Sequence, residues 1–251
     1  MEALTEAVPV PAHVPPEAVY DFDMRFDPGL LANPHERLRE ILREAPPVFW
    51  TPRNGGRWIV MGYPEIFEAS RDPERFSSSY MSAERMQAMM AMMPKGMPRT
   101  PQATPITMDP PEHTKFRAPL QKTFSPRAAI NQIEEIRALT DRLIDQVIDR
   151  GHCDFIAAIA EPLPVTVFLT LMGLPVSRLA EFRELVHEFL ANTTGDPVKG
   201  AALSRKVADA MLDEIMARKD DPRDDIISLL WAAEIDGAPM TVELMEDYCV
   251  L

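Results

Sequence analysis

The chain has 251 residues, enough for one large domain or two small ones with a sizeable core. Its net charge of −13 argues against general nucleic-acid binding, which requires a basic surface to neutralise phosphates. Two cysteines supply no disulfide framework, the N-terminus lacks a basic start, and the longest apolar stretch, 162–176, is broken by prolines and too short for a bilayer of about 30 Å. These features imply a cytoplasmic protein with no membrane segment.

In chain order, residues 1–19 read as a proline-rich N-terminal tail. Asn33-Pro34 opens a helix whose Leu38, Ile41 and Leu42 share a face, and Pro46-Pro47 stops it. Val48-Phe49-Trp50 and Trp58-Ile59-Val60-Met61 have strand composition, with Arg53-Asn54-Gly55-Gly56 as the turn of a hairpin. Pro64 starts a further helix that ends near Asp72-Pro73. Ser125-Pro126 starts the clearest helix, in which Ile130, Ile133, Ile136, Leu139, Leu143, Ile144, Val147 and Ile148 recur at helical spacing until Gly151, a core stripe. Helices also fit Leu163 to Met172, Ser177 to Asn192, Lys199 to Lys219 and Asp224 to Glu234, with Gly173, Gly195 and Asp221-Pro222 as breaks. Thr241 caps a last helix. The expected fold is mainly α with a small β sheet, and no linker divides residues 20–251.

The segment Met108-Asp-Pro-Pro-Glu-His-Thr-Lys-Phe-Arg117 carries the most chemistry. Asp109 caps a helix, Pro110 or Pro111 fits its first turn, and Glu112 completes a capping box. Residues four apart share a helical face, so His113 and Arg117 can address one anionic ligand beside an apolar stripe of Phe116, Leu120 and Phe124. A solvated surface helix is the competing reading of the same spacing. Pro119, inside the helix, removes one hydrogen bond and predicts a kink.

The stretch from Met108 to Arg127 resembles the C-helix signature of soluble bacterial cytochrome P450 enzymes, D-P-P-E-H-x-x-x-R followed by Phe, a small residue and Pro. Further pieces resemble the camphor-hydroxylating branch of that family in the same order: YDFDM at 20–24, NGGRWIV at 54–60, RFSS at 75–78, GHCDF at 151–155, AEPLPVTVFLTLMGLP at 160–175 and DGAPMT at 236–241. The resemblance implies that residues 20–251 are the N-terminal portion of a single cytochrome P450 domain ending at the start of the family's I helix. It implies haem b as cofactor, with His113 and Arg117 on the propionates. It also implies a ferredoxin-type iron-sulfur electron donor, docked on the cationic cluster of Lys115, Lys122 and Arg127. The family's acid-threonine pair, Glu-x-x-Arg motif and cysteine-ligand loop would lie past Leu251. Neither Cys153 nor Cys249 has the glycine-rich surroundings of that ligand, so no catalytic residue is expected within the chain, and the chain alone is expected to be inactive.

Between Ser77 and Met108, methionines recur at helical offsets. They form either an amphipathic helix packed into a core or, as the resemblance implies, a lid in which Met86, Met89, Met90 and Met93, with Ala103, face a small apolar substrate, possible terpenoids among them. Camphor-hydroxylating relatives carry a tyrosine where this loop reads Arg99-Thr-Pro-Gln-Ala103, which argues against camphor itself. Thioether clusters also bind Cu(I), and Glu184-x-x-His187 has the spacing of half a di-iron site, although no second Glu-x-x-His exists. The alternative function is a non-catalytic module that binds an apolar ligand, or haem without its cysteine.

Overall fold

A computed structural model describes all residues except 1–3, 80–83, 85–86, 89–90, 92–97, 122, 192–196 and 251. The chain divides into two units, Met1–Ser77 and Ser78–Leu251.

In the first unit, α1 (Pro28–Ala32) and α2 (Pro34–Glu44) precede the hairpin of β1 (Val48–Thr51) and β2 (Arg57–Val60), and α3 (Tyr63–Ala69) follows. Asp27 caps α1 by accepting from the Gly29 and Leu30 amides, while Asn33 caps α2 through the Glu36 amide, so both Pro-initiated helices start as their sequences predict. The antiparallel register pairs Val48 with Val60 and Thr51 with Arg57. At the turn, Asn54, Gly55 and Gly56 all have positive φ, and a Cβ on Gly56 would come within 2.7 Å of Val8 and 2.8 Å of Trp50. Glycine is therefore required there by conformation and by space.

The segment YDFDM is a packing knot. Phe22 joins Ile41 and Phe49 in a small core. Asp23 accepts from the Thr5 amide and hydroxyl at 2.6 and 2.8 Å and from Asn54 Nδ2 at 2.9 Å, and Asp21 is paired with Arg53 at 2.6 Å. The sequence sets residues 1–19 apart as a tail, but Thr5 is part of this knot, the Val8 amide donates to the Pro52 carbonyl, and Val14 is buried.

The second unit contains α4 (Glu112–Gln121), α5 (Pro126–Asn131), α6 (Ile133–Asp145), α7 (Pro162–Met172), α8 (Leu179–Ala191), α9 (Pro197–Asp220) and α10 (Ile226–Trp231). A two-stranded ribbon of β3 (Glu234–Ile235) and β4 (Ala238–Pro239) and then α11 (Val242–Cys249) complete it. Its core joins Leu169, Phe182, Met211, Ile215, Ile227, Leu230, Met245 and Tyr248, with Phe116 and Leu120 of α4 packed against it.

Three expectations need correction. The helix from Ser125 to Gly151 is interrupted at Gln132, whose amide bonds to Ala129 in a tighter i→i+3 turn, and again after Asp145, where Val147 and Arg150 make the same kind of bond. Its stripe is not core among the described residues: Leu143 is buried, yet Ile130 and Ile148 are 65% and 61% exposed. Glu234 belongs to a strand rather than to the preceding helix, because Asp236-Gly237, at φ 51° and 77°, forms the positive-φ turn that joins two antiparallel strands.

Candidate anion-binding site on helix α4

Helix α4 begins where the Asp109 carbonyl accepts from the His113 amide at 2.9 Å, and the Asp109 side chain accepts from the Ser78 amide at 2.7 Å. Pro110 and Pro111 precede the first helical residue, and the helix continues through Pro119. Its sides differ. Phe116 and Leu120 pack into the core, and the buried Tyr248 hydroxyl donates to the Phe116 carbonyl. Lys115 Nζ is held 2.9 Å from Glu112 and 2.7 Å from Asp236 of the β3–β4 turn. His113 is half-buried and Arg117 exposed, one turn apart, and Arg117 has no ion-pair partner among the described residues.

That inequality is chemically informative. The charge of Lys115 is already compensated by two carboxylates, whereas the Arg117 guanidinium keeps its donor fork open beside an imidazole. Such a pair suits a carboxylate, for which arginine's planar donors are matched and charge-assisted bonds are strong. The groove of about 1050 Å³ in this unit lies elsewhere, between α5, α6, α7 and the 222–232 segment, and neither His113 nor Arg117 lines it. Phe124, expected in the apolar stripe, is 61% exposed.

The other candidates separate. Met86, Met89, Met90 and Met93 lie outside the described residues, as does Lys122, so the copper and lid readings of that segment are not addressed by the structure. Arg127 is exposed near the start of α5. Ala103 is half-buried in a loop pinned to α11: Arg99 bonds Asp247, and the Gln102 amide donates to Asp247 at 2.6 Å. His187 sits 2.5 Å from Glu161, which also pairs with Arg183, so its neighbour comes from α7's N-terminus rather than from its own Glu-x-x-His spacing.

Sequence reasoning missed the acids and the phenol of α11. Glu246, Asp247, Tyr248 and Cys249 are all buried, although consecutive helical residues point about 100° apart. Arg205 meets Glu246 at 2.6 Å, a short charge-assisted pair. Burial pushes the Asp247 carboxyl above its ordinary range despite the Gln102 amide and Arg99, and pushes Tyr248 up to about 12, so the phenol remains a donor. Burial likewise lifts the Cys249 thiol to about 12, the opposite of what a thiolate ligand needs, while Cys153 is exposed. Two adjacent acids beside Met245 and Tyr248 in an eight-residue helix were the available signal that α11 is enclosed on several sides.

No helix among the described residues is long and apolar enough to cross a membrane. No protein-family model matches the chain. Individual relatives do. It is 29% identical to the probable cytochrome P450 127A1 of Sinorhizobium fredii, over 97% of this chain and 58% of that protein. It is 28% identical to linalool 8-monooxygenase of Pseudomonas putida, over 83% of this chain and 53% of that one. The crystal structure of cytochrome P450 CYP101C1 superposes with a TM-score of 0.76 at 29% identity, over 96% of this chain and 57% of the other.

Fold and relatives together define a chain of the cytochrome P450 type. The chain is a bacterial cytochrome P450 homologue with a mainly α fold, and it spans a little over half the length of these relatives.

Proposed function

We propose that the chain is the haem-propionate-binding portion of a cytochrome P450 monooxygenase that hydroxylates a small apolar, terpenoid-like molecule with O2 and two electrons from a ferredoxin. The observation that carries this reading is the open guanidinium of Arg117 beside His113, on a helix whose other cation is already paired. The name of the linalool-oxidising relative supports the substrate class.

When bound, haem would supply the oxygen activation. The work of this chain is positional. Arg117 and His113 would hold the propionates by charge-assisted hydrogen bonds, and the packed Phe116 and Leu120 fix the direction in which that face looks. The 98–107 loop, tied to α11 through Asp247, carries Ala103 toward the substrate. Arg127, exposed near the start of α5, supplies positive surface for the donor. Lys115 contributes less there, because Glu112 and Asp236 neutralise it. Neither Cys153 nor Cys249 ligates iron.

Hemin titration, followed by absorption of the reduced protein under carbon monoxide, is the test. A haem spectrum that Arg117→Ala weakens is expected, without a thiolate-type Soret band while Cys153 and Cys249 are the only thiols. A thiolate band from these residues overturns the ligand assignment. Haem content indifferent to Arg117 overturns the propionate site.

A further inference from the structure

The turn that carries Arg117 is weakened from within and gripped from outside. Pro119 has no amide hydrogen, so the Lys115 carbonyl one turn earlier loses its intrahelical donor, and the proline ring crowds that carbonyl. Even so, α4 runs unbroken from Glu112 to Gln121. Two contacts from later in the chain meet this turn: Tyr248 of α11 donates to the Phe116 carbonyl, and Asp236 of the β3–β4 turn pairs with Lys115 at 2.7 Å.

The Phe116 carbonyl and the Arg117 amide belong to one planar peptide unit. A donor fixed on that carbonyl therefore fixes the plane from which the Arg117 side chain departs. Tyr248 is well placed for this task, being 5% exposed and packed with Met245 and Leu230 in the unit's core. Its hydroxyl is the only polar atom of a side chain otherwise suited to apolar surroundings, and it is spent on this carbonyl.

We infer that Tyr248 is a positioning residue for the carboxylate-binding pair on α4, holding the proline-weakened turn so that Arg117 is presented in a fixed direction, with Asp236 as a second clasp through Lys115. The inference rests on the proposed role of Arg117 at a haem propionate. Tyr248→Phe keeps the ring and removes only the donor, which makes it the natural probe.

The experiment follows transfer of haem from the hemin-loaded protein to excess apomyoglobin for wild type, Tyr248→Phe, Arg117→Ala and the double variant. Trp231→Phe serves as control, since it removes another side-chain bond of the same core, from the indole to the Ile215 carbonyl at 2.7 Å. Amide exchange across residues 115–121 is measured on the same proteins without haem. Loss of one neutral hydrogen bond predicts release about three- to tenfold faster for Tyr248→Phe, a larger acceleration for Arg117→Ala, and no further acceleration in the double variant. Trp231→Phe releases haem at the wild-type rate, and exchange across 115–121 quickens only in the Tyr248 variants.

Wild-type release from Tyr248→Phe, alongside fast release from Arg117→Ala, overturns the inference and leaves the propionate reading standing. Acceleration by Trp231→Phe equal to that of Tyr248→Phe also overturns it, because general loosening would then be the cause. Unaltered release from Arg117→Ala overturns the propionate reading itself, and unchanged exchange in Tyr248→Phe then removes the clasp as well.

Discussion

Helices α9 to α11 and helices α5 to α6 both carry apolar residues at helical spacing, and they end in different environments. Met211, Ile215, Leu230 and Met245 are at most 1% exposed, whereas Ile130 and Ile133 remain 65% and 40% exposed. The charged groups diverge in parallel. In the first region Arg218 has no exposed side-chain surface and is met by Asp225 at 2.8 Å and Glu214 at 2.5 Å; in the second, Arg137 and Glu134 form an exposed pair one turn apart. A periodic stripe thus states which face a helix would bury, while burial itself depends on an element arriving to cover it.

The largest effect that would break this contrast is expected at Asp225. Asp225→Ala removes one of the two carboxylates that compensate the enclosed Arg218 charge, leaving Glu214, and removes the cap that the Ser228 amide uses at 2.8 Å, costing about 3–5 kcal/mol in urea unfolding. A loss near zero would mean that Arg218 is not enclosed. The same pair predicts a pH dependence. Burial tends to raise the Asp225 carboxyl, but the Arg218 and Ser228 bonds outweigh it and hold it below the usual carboxylate range. A depressed folded-state value contributes fully above the ordinary aspartate value of about 4 and is lost as pH falls through the folded-state value. The urea midpoint should therefore decline on acidification below about pH 4, and less steeply in Asp225→Asn.

Next in size, Ile215→Ala should cost about 2–5 kcal/mol, against no more than about 0.5 kcal/mol for Ile130→Ala. Comparable losses at the two positions would show that the stripe of α5 and α6 is covered in solution. The smallest expected effect is Thr241→Ala, about 1 kcal/mol, from removing the cap on the Leu244 amide. Thermal denaturation can resolve it.

Much of this organisation is legible in the residues. Asn33-Pro34, Ser125-Pro126 and Thr241 mark helix starts because cap chemistry is local, and Asn54-Gly-Gly fixes the hairpin because positive φ is demanded at that spot. The β3–β4 ribbon was hidden by its brevity, although Asp236-Gly237 is a strong turn signal. The break at Gln132 was hidden because the apolar period runs straight through it. At the candidate site, His113 and Arg117 follow from four-residue spacing. The pairing of Lys115 with Asp236 and the reach of Tyr248 to Phe116 span 121 and 132 residues, and no local pattern encodes contacts so far apart.

The central claim is that Arg117, left open while Lys115 is paired, receives a haem carboxylate. Comparing affinities of wild type and Arg117→Ala for hemin and for its dimethyl ester, which lacks those charges, tests this most directly. Esterification should weaken binding to wild type by roughly 10- to 100-fold, the worth of one charge-assisted hydrogen bond, and the preference should fall sharply in Arg117→Ala, where His113 alone remains. Equal affinity of wild type for both compounds would contradict the account.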